Sequence, residues 1–414
     1  MRARIHRGTR EIGGTVVELE AAGQRLMLDC GLPLDAAPNA PVVLPEVPGL
    51  AAPDPSLLGV VLSHGHRDHW GLLGHAHGAP PVFMGAGTER VLTAASFFIR
   101  DVPPLKSAAH LEDGRPLAIG PFTVIPHLVD HSAFDAYALT AVAGGRRLFY
   151  SGDIRSHGRK GALFEQLVSR PPQGIDVMLM EGSSLGRLDE EARFPTETEI
   201  EAALTDVIRR TPGMALIAAS AQNIDRVVSI FRAAKRSGRT LVVDLYAAEM
   251  LHATGRDSIP QTSWPEVALF TPWHQRVKVK KAERFDLIER HKAGRVFPED
   301  FAAHPERYVV LFRASLLDDL VKAGCLSGAH AIWSQWAGYL KDEKTAALLA
   351  MLKAHGVGFE VIHTSGHASI PDLKRLAAAI SPRALVPIHT FEADRFPSLF
   401  ENVVVRHDGE WWEV

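Results

Sequence analysis

Between Ser63 and His69 the chain reads Ser-His-Gly-His-Arg-Asp-His, directly after the apolar run Gly59, Val60, Val61 and Leu62. Three imidazoles and a carboxylate crowd into a window where folding asks for none of them. These side chains are the ligands of a borderline divalent cation such as zinc. A tight loop at the end of a buried strand would hold them rigidly. The spacing suits two ions, with His64 and His66 pointing one way and Asp68 and His69 the other. Two ions a few ångströms apart make hydroxide at neutral pH and clamp an in-line displacement at phosphorus.

Further candidate ligands follow later apolar stretches. His131 lies in Val129-Asp130-His131-Ser132, Asp153 in Tyr150-Ser151-Gly152-Asp153, and His389 in Val386-Pro387-Ile388-His389. One metal is expected on His64, His66 and His131, the other on Asp68, His69 and His389. Asp153, delivered by a glycine turn, bridges them, and open positions remain for water and substrate. Asp29, in Asp29-Cys30-Gly31, is placed behind a ligand histidine as its orienting partner; the competing reading is an ordinary turn residue before glycine.

The elements that must carry these residues follow from the apolar pattern. Residues 16–19 and 25–28 read as strands, followed by a proline-rich loop over 32–55 and then the strand that feeds the histidine window. Helical patterns cover 69–77 and 88–98, and strands recur at 122–125, 137–143, 147–150 and 176–180. The texture changes at Pro195. Thr196 opens a capped helix with acids in its first turn. Strands at 214–219, 240–243, 308–312 and 329–333 then alternate with helices, which points to a parallel α/β unit. From about Lys341 the pattern is helix, strand at 358–362, helix, strand at 384–388, helix and a final short β pair.

The bulk numbers bound the possibilities. The chain has 414 residues, 46% hydrophobic, enough for two or three domains. A net charge of −3 does not suit a general nucleic-acid coat, so nucleic-acid binding would need a local groove. Cys30 and Cys325 are the two cysteines, far apart, which argues against a disulfide scaffold and fits a reducing compartment. No apolar signal core opens the chain, and no run of about 18 apolar residues offers a membrane span. The expectation is a soluble cytoplasmic protein without a membrane partner.

The order Asp29, His-x-His-x-Asp-His, His131, Asp153, His389 resembles the metallo-β-lactamase-fold hydrolases. The inserted α/β segment, the strand end Glu181-Gly182, Ser220-Ala221-Gln222-Asn223 and His363-Thr364-Ser365-Gly366-His367-Ala368 resemble the β-CASP branch. Within it the likeness is to RNase J-type enzymes, which the opening Gly8-Thr9-Arg10-Glu11-Ile12-Gly13-Gly14 and the ending Pro387-Ile388-His389 also fit. The resemblance implies an α/β (α+β) architecture, a metallo-β-lactamase αββα sandwich with an inserted β-CASP domain. The division is then 1–194 for the first part of the sandwich, 195–345 for the insert and 346–414 for the last part. It also implies two divalent metal ions, zinc with manganese as the alternative, and phosphodiester hydrolysis of nucleic acid, mostly single-stranded RNA. RNase J proteins carry a further C-terminal domain, and this departure leaves grip on long substrates and self-association through such a domain open.

The family's β-CASP motifs fall on Glu181, His367 and His389. The implied catalytic residues are Asp68, Glu181 and His367: hydroxide made by the metals attacks phosphorus, and His367, held by Glu181, protonates the leaving 3′ oxygen. Ser365 and Gly366 would offer a hydroxyl and backbone N–H groups to a phosphate, and His363 either assists them or packs in the core. The basic stretch from Trp273 to Lys281 could line an RNA channel, although a solvated helix face is the favoured reading. Trp333-Ser334-Gln335-Trp336 reads as a strand end, packing rather than stacking.

A small-molecule hydrolase of lactonase or thioesterase type is the competing enzyme class, and the insert and His367 argue against it. A non-catalytic partner subunit would have lost metal ligands, which this chain retains. A DNA-directed nuclease stays open, because no residue here reads a 2′-hydroxyl. Exo- or endonucleolytic attack and the oligomeric state are not written in the sequence.

Overall fold

The computed structural model describes residues 1–34, 36, 42–99, 102 and 104–414. Part of the proline-rich loop read at 32–55 lies outside them. The chain forms two units, one of Met1–Phe194 with Gly366–Val414 and the other of Pro195–Ser365.

The first unit is built on two sheets. One has seven strands in the order Trp411–Glu413, Arg2–Arg7, Val16–Ala21, Gln24–Cys30, Leu57–Val61, Val82–Gly85, Ser107–Leu111. The other has six, in the order Ala384–Ile388, Val177–Glu181, Arg146–Tyr150, Tyr137–Ala143, Phe122–Leu128, Leu117–Ile119. Side chains alternate across each strand. Val17, Leu19, Leu26 and Leu28 therefore meet Val124, Leu139, Ala141, Leu148 and Leu179 in a core between the sheets. Their neighbours Val16, Met27, Val60 and Leu62 point the other way and pack with Trp70 and Leu92. On the far side of the second sheet Phe149, Met178 and Met180 pack with Phe164, Leu373, Leu376 and Phe396. The result is the αββα layering expected from the sequence.

Two local expectations change. The helix read at 69–77 is a single α-turn, Arg67–Trp70, followed by a 3₁₀ turn, Gly71–His75. The final β pair is one strand, Trp411–Glu413, whose antiparallel partner is the opening strand, with Arg2 opposite Glu413. The opening strand escaped notice because Arg2, Arg4 and His6 interleave with Ala3 and Ile5, an alternation with too few large apolar residues to stand out.

The second unit holds a six-stranded parallel sheet in the order Val267–Phe270, Thr240–Asp244, Tyr308–Phe312, Ala215–Ala218, His330–Trp333, Gly358–Val361. Both faces are covered, as parallel sheets require. Phe301, Leu317, Leu320, Leu348 and Leu352 pack on Leu216, Val242, Val310 and Phe312. Ile217, Leu241, Val243 and Leu311 face the opposite way and are fully buried. The helix Glu197–Arg210 opens with a capping box, Thr196 accepting from the Glu199 N–H and Glu199 accepting from the Thr196 N–H. The return to the first unit was read at 345/346 but lies at Ser365/Gly366. Strand Gly358–Val361 pairs in parallel with His330–Trp333 and so holds residues 346–365 to the insert; the helix–strand texture is the same on both sides of the crossing. Among the described residues, no helix is long and apolar enough to cross a membrane.

Candidate metal centre

The first unit brings the ligand candidates together at strand ends. His64, His66, Asp68 and His69 follow Leu57–Val61, His131 follows Phe122–Leu128, Asp153 follows Arg146–Tyr150, and His389 follows Ala384–Ile388. Three positions here take left-handed backbone: Gly152 at φ +53°, His389 at +54° and Asp29 at +59°. For glycine that conformation costs nothing sterically. For His389 and Asp29 it is strain of the sort that surrounding structure must enforce, and such strain clusters at functional sites.

Ligand atoms of His64, His66, His131 and Asp153 lie within 4.8 Å of one another, as do those of Asp68, His69 and His389. Asp153 stands between the two groups. Its Oδ2 is 3.3 Å from His69 Nε2, 3.7 Å from His64 Nε2 and 3.8 Å from His131 Nε2, and its Oδ1 is 3.8 Å from His389 Nε2. A third group joins Asp153, His389 and His367. Among the described residues, His64 Nε2, His69 Nε2, His389 Nε2 and Asp153 Oδ1 are buried with no hydrogen-bond partner. Four orphaned polar atoms aimed at one small region are costly in a folded protein unless something accepts them. Imidazole nitrogens and carboxylate oxygens are the donor set that a borderline divalent ion takes. The residues fit a metal.

The far side of four of the five candidate rings is also tied, while His66 Nδ1 faces His131 Nε2 at 3.1 Å. His69 Nδ1 lies 2.7 Å from Asp29 Oδ2, and Asp29 further accepts from the Ser63 N–H, the Ser63 hydroxyl and the Tyr150 hydroxyl, each at 2.7 Å. His64 Nδ1 lies 3.0 Å from Ser63 Oγ, His131 Nδ1 donates to the Gly366 carbonyl at 2.7 Å, and His389 Nδ1 lies 2.9 Å from Thr15 Oγ1. With a hydrogen on Nδ1 of His64, His69 and His131, their Nε2 atoms are the ones left to bind. The Gly13 N–H donates to His389 Nδ1 at 3.3 Å.

Charge follows the same geometry. Burial and the neighbouring rings of His69 and His131 hold the His64 pKa well below the ordinary histidine value. Burial also opposes charge on His69, but Asp153, Asp29 and Asp68 outweigh it and raise its pKa well above ordinary. Asp153 is pushed well below the usual carboxylate range by His389, His69 and His367, against the effect of burial. Burial and Asp29 keep the Tyr150 hydroxyl protonated as a donor.

Glu181 and His367 meet beside this cluster. His367 Nδ1 is 2.9 Å from Glu181 Oε2 and 3.9 Å from Asp153 Oδ2. Glu181 is buried and its Oε1 accepts from the Ile154 N–H at 2.9 Å. Burial lowers the His367 pKa, but Glu181 and Asp153 overcome it and raise the value to about 9. Nδ1 is thereby committed to Glu181.

The remaining candidates fare differently. Gly366 acts through its carbonyl, which holds His131, and a Cβ there would come within 2.6 Å of Ser132 Oγ. Ser365 and His363 belong to the second unit. There His363 lies beside the buried Arg226, at 3.5 Å. Sequence reading missed Ser63, Tyr150 and Thr15. Ser63 stands inside the histidine motif and was available as a signal; Tyr150 and Thr15 look like ordinary strand residues.

The fold and site define a metallo-β-lactamase-type centre suited to divalent metal. Residues 24–210 match the model of the beta-lactamase superfamily domain. The chain is 27% identical to ribonuclease J of Mycobacterium tuberculosis over 92% of its own length and 67% of that protein's. It is 23% identical to ribonuclease J of Sinorhizobium meliloti over 88% and 64%. The chain thus spans about two thirds of the length of these relatives. A crystal structure of a protein of unknown function from Enterococcus faecalis shares the fold, with a TM-score of 0.78, 20% identity and 99% coverage of both chains. The beta-lactamase superfamily match and the ribonuclease J relatives together support an RNase J-like β-CASP nuclease.

Proposed function

We propose that this protein is a two-metal ribonuclease that hydrolyses phosphodiesters of single-stranded RNA. The observation that carries the reading is the convergence of the orphaned His64, His69 and His389 Nε2 atoms and Asp153 Oδ1 beside the Glu181–His367 pair. His64, His66 and His131 would hold one ion and Asp68, His69 and His389 the other, zinc in preference to manganese, with Asp153 between them. When bound, such ions supply an activated water and neutralise phosphate charge. His367 supplies the proton: Glu181 fixes Nδ1 and so orients the ring, whose Nε2–H would go to the departing 3′ oxygen. Glu181 is itself held by the Ile154 N–H, so the pair is oriented before substrate arrives. Asp29, Ser63, Tyr150, Thr15 and the Gly366 carbonyl orient the ligand rings. A lactone or thioester leaves no comparable role for the Glu181–His367 pair. The relatives named ribonuclease J favour RNA over DNA.

The test is incubation of the metal-loaded protein with 5′-monophosphate RNA, 5′-triphosphate RNA and single-stranded DNA, with products resolved as a ladder. RNA cleavage that EDTA stops is expected. An intact RNA substrate alongside rapid lactone or thioester hydrolysis would overturn the reading.

A further inference from the structure

The second unit's sheet turns direction between Ala215–Ala218 and Tyr308–Phe312. These strands are neighbours, yet the chain leaves the first toward Thr240–Asp244 on one side and the second toward His330–Trp333 on the other. In open parallel sheets, ligands gather at the carboxyl ends of strands at such a point. Arg313 is the first residue after Tyr308–Phe312. Its guanidinium lies 4.3 Å over the ring of Tyr246, and Nη1 meets Asp244 Oδ2 at 2.9 Å. Gln222, from the loop after Ala215–Ala218, donates to the Tyr246 hydroxyl at 2.9 Å. The other nitrogen, Nη2, is buried and meets no acceptor among the described residues. An arginine stacked on an aromatic ring, with one edge held by a carboxylate, is oriented for a phosphate oxygen on the other edge.

The helix Trp273–Lys281 is fastened to the same sheet end. Gln275 donates to Asp244 at 2.8 Å and accepts from the Leu245 N–H at 2.9 Å. Gln275 and Val279 are its buried face. Trp273, Arg276 and Lys280 fall at i, i+3 and i+7 on a different, exposed stripe. Trp273 is 64% exposed, a large apolar area to leave in water. Between residues 273 and 281 there are four cations and no carboxylate. Among the described residues, Arg276 and Lys280 pair with no acid. The helix dipole explains lysines in the last turn; it does not explain Arg276 one turn earlier or an exposed tryptophan in the first.

We propose that the carboxyl end of the second unit's sheet binds single-stranded nucleic acid, along the exposed stripe of Trp273, Arg276 and Lys280. Trp273 is a platform for a base, and Arg276 and Lys280 release counterions from the backbone. The proposal rests on the nuclease reading above and adds which face of the second unit grips the strand.

The experiment uses the metal-loaded full chain and a labelled phosphorothioate RNA, with affinity followed by anisotropy across a salt series. The Arg276→Glu/Lys280→Glu variant should lower the slope of log affinity against log salt by about 1.4, two contacts at roughly 0.7 each. Trp273→Ala should weaken binding roughly five- to a hundredfold with little change of slope. If charge reversal impairs folding, Arg276→Gln/Lys280→Gln reads the same slope. Wild-type affinity and slope in these variants, with RNA cleavage by the wild-type chain intact, overturns this surface alone. A wild-type chain that neither binds nor cleaves RNA overturns the nuclease reading with it.

Discussion

Asp29 Oδ2 accepts from His69 Nδ1 at 2.7 Å while also accepting from the Ser63 and Tyr150 hydroxyls. One buried carboxylate thereby sets the orientation of a candidate ligand ring and anchors the loop that carries the others. Replacing it with an amide keeps the volume but removes the charge and puts an N–H₂ group among three donors. Asp29→Asn is expected to lower metal affinity or activity by roughly 10- to 100-fold. Metal content after dialysis against a weak chelator, beside cleavage rate, measures this; a variant that retains metal and rate like the wild type removes the orienting role.

His64→Ala and Asp68→Ala test the two ligand groups separately. Each is expected to abolish turnover of a labelled oligonucleotide while the far-ultraviolet circular dichroism stays near that of the wild type. The fold should survive because the core between the sheets contains neither residue, and because His64 Nε2 has no protein partner to lose. Metal analysis should show a loss from the site each residue serves. Wild-type cleavage by either variant would sink the two-metal assignment.

Much of this site was legible because its chemistry is dense. His64, His66, Asp68 and His69 fall within one turn of chain, and His131, Asp153 and His389 each stand at the end of an apolar strand, where a strand can deliver them to one place. Ser63, Tyr150 and Thr15 were not legible as partners. Their hydroxyls matter only because separate strands meet, and Tyr150 reaches Asp29 across 121 residues of sequence. The second crossing between units was misplaced for a similar reason. The helix–strand pattern of residues 343–361 suits either unit, and only the parallel pairing of Gly358–Val361 with His330–Trp333 decides it. The opening strand was invisible until its pairing with Trp411–Glu413 made it part of a sheet.

Glu18 gives a stability prediction away from the site. It is fully buried and accepts from Arg4 at 2.8 Å, His6 at 2.7 Å and Arg25 at 2.9 Å. Burial opposes its ionisation, but the hydrogen bonds from His6, Arg4 and Arg25 prevail and lower its pKa to about 2. A folded pKa below the unfolded value contributes stability that is full above the ordinary glutamate range and lost as pH falls toward 2. The contribution is on the order of 3 kcal/mol. Melting temperatures of wild type and Glu18→Gln between pH 6 and about 3 measure it. The variant should start lower and lose less on acidification; parallel curves would remove the linkage.

His367 and Glu181 separate chemistry from metal binding. His367 Nδ1 bonds Glu181 at 2.9 Å, but the ring also lies close enough to Asp153 and His389 to be considered as a ligand. If it serves as the acid, His367→Ala keeps both metals and slows cleavage by about 10²- to 10⁴-fold. Glu181→Gln keeps the metals too, and lowers the pKa of the ring that Glu181 helps raise to about 9. Its alkaline limb of activity should then move to lower pH, because the proton that His367 must donate is lost earlier. A substrate whose leaving group needs no proton, such as a nitrophenyl phosphodiester, should restore much of the rate in both variants. Loss of metal from His367→Ala, with no rescue by that substrate, would instead make His367 a ligand.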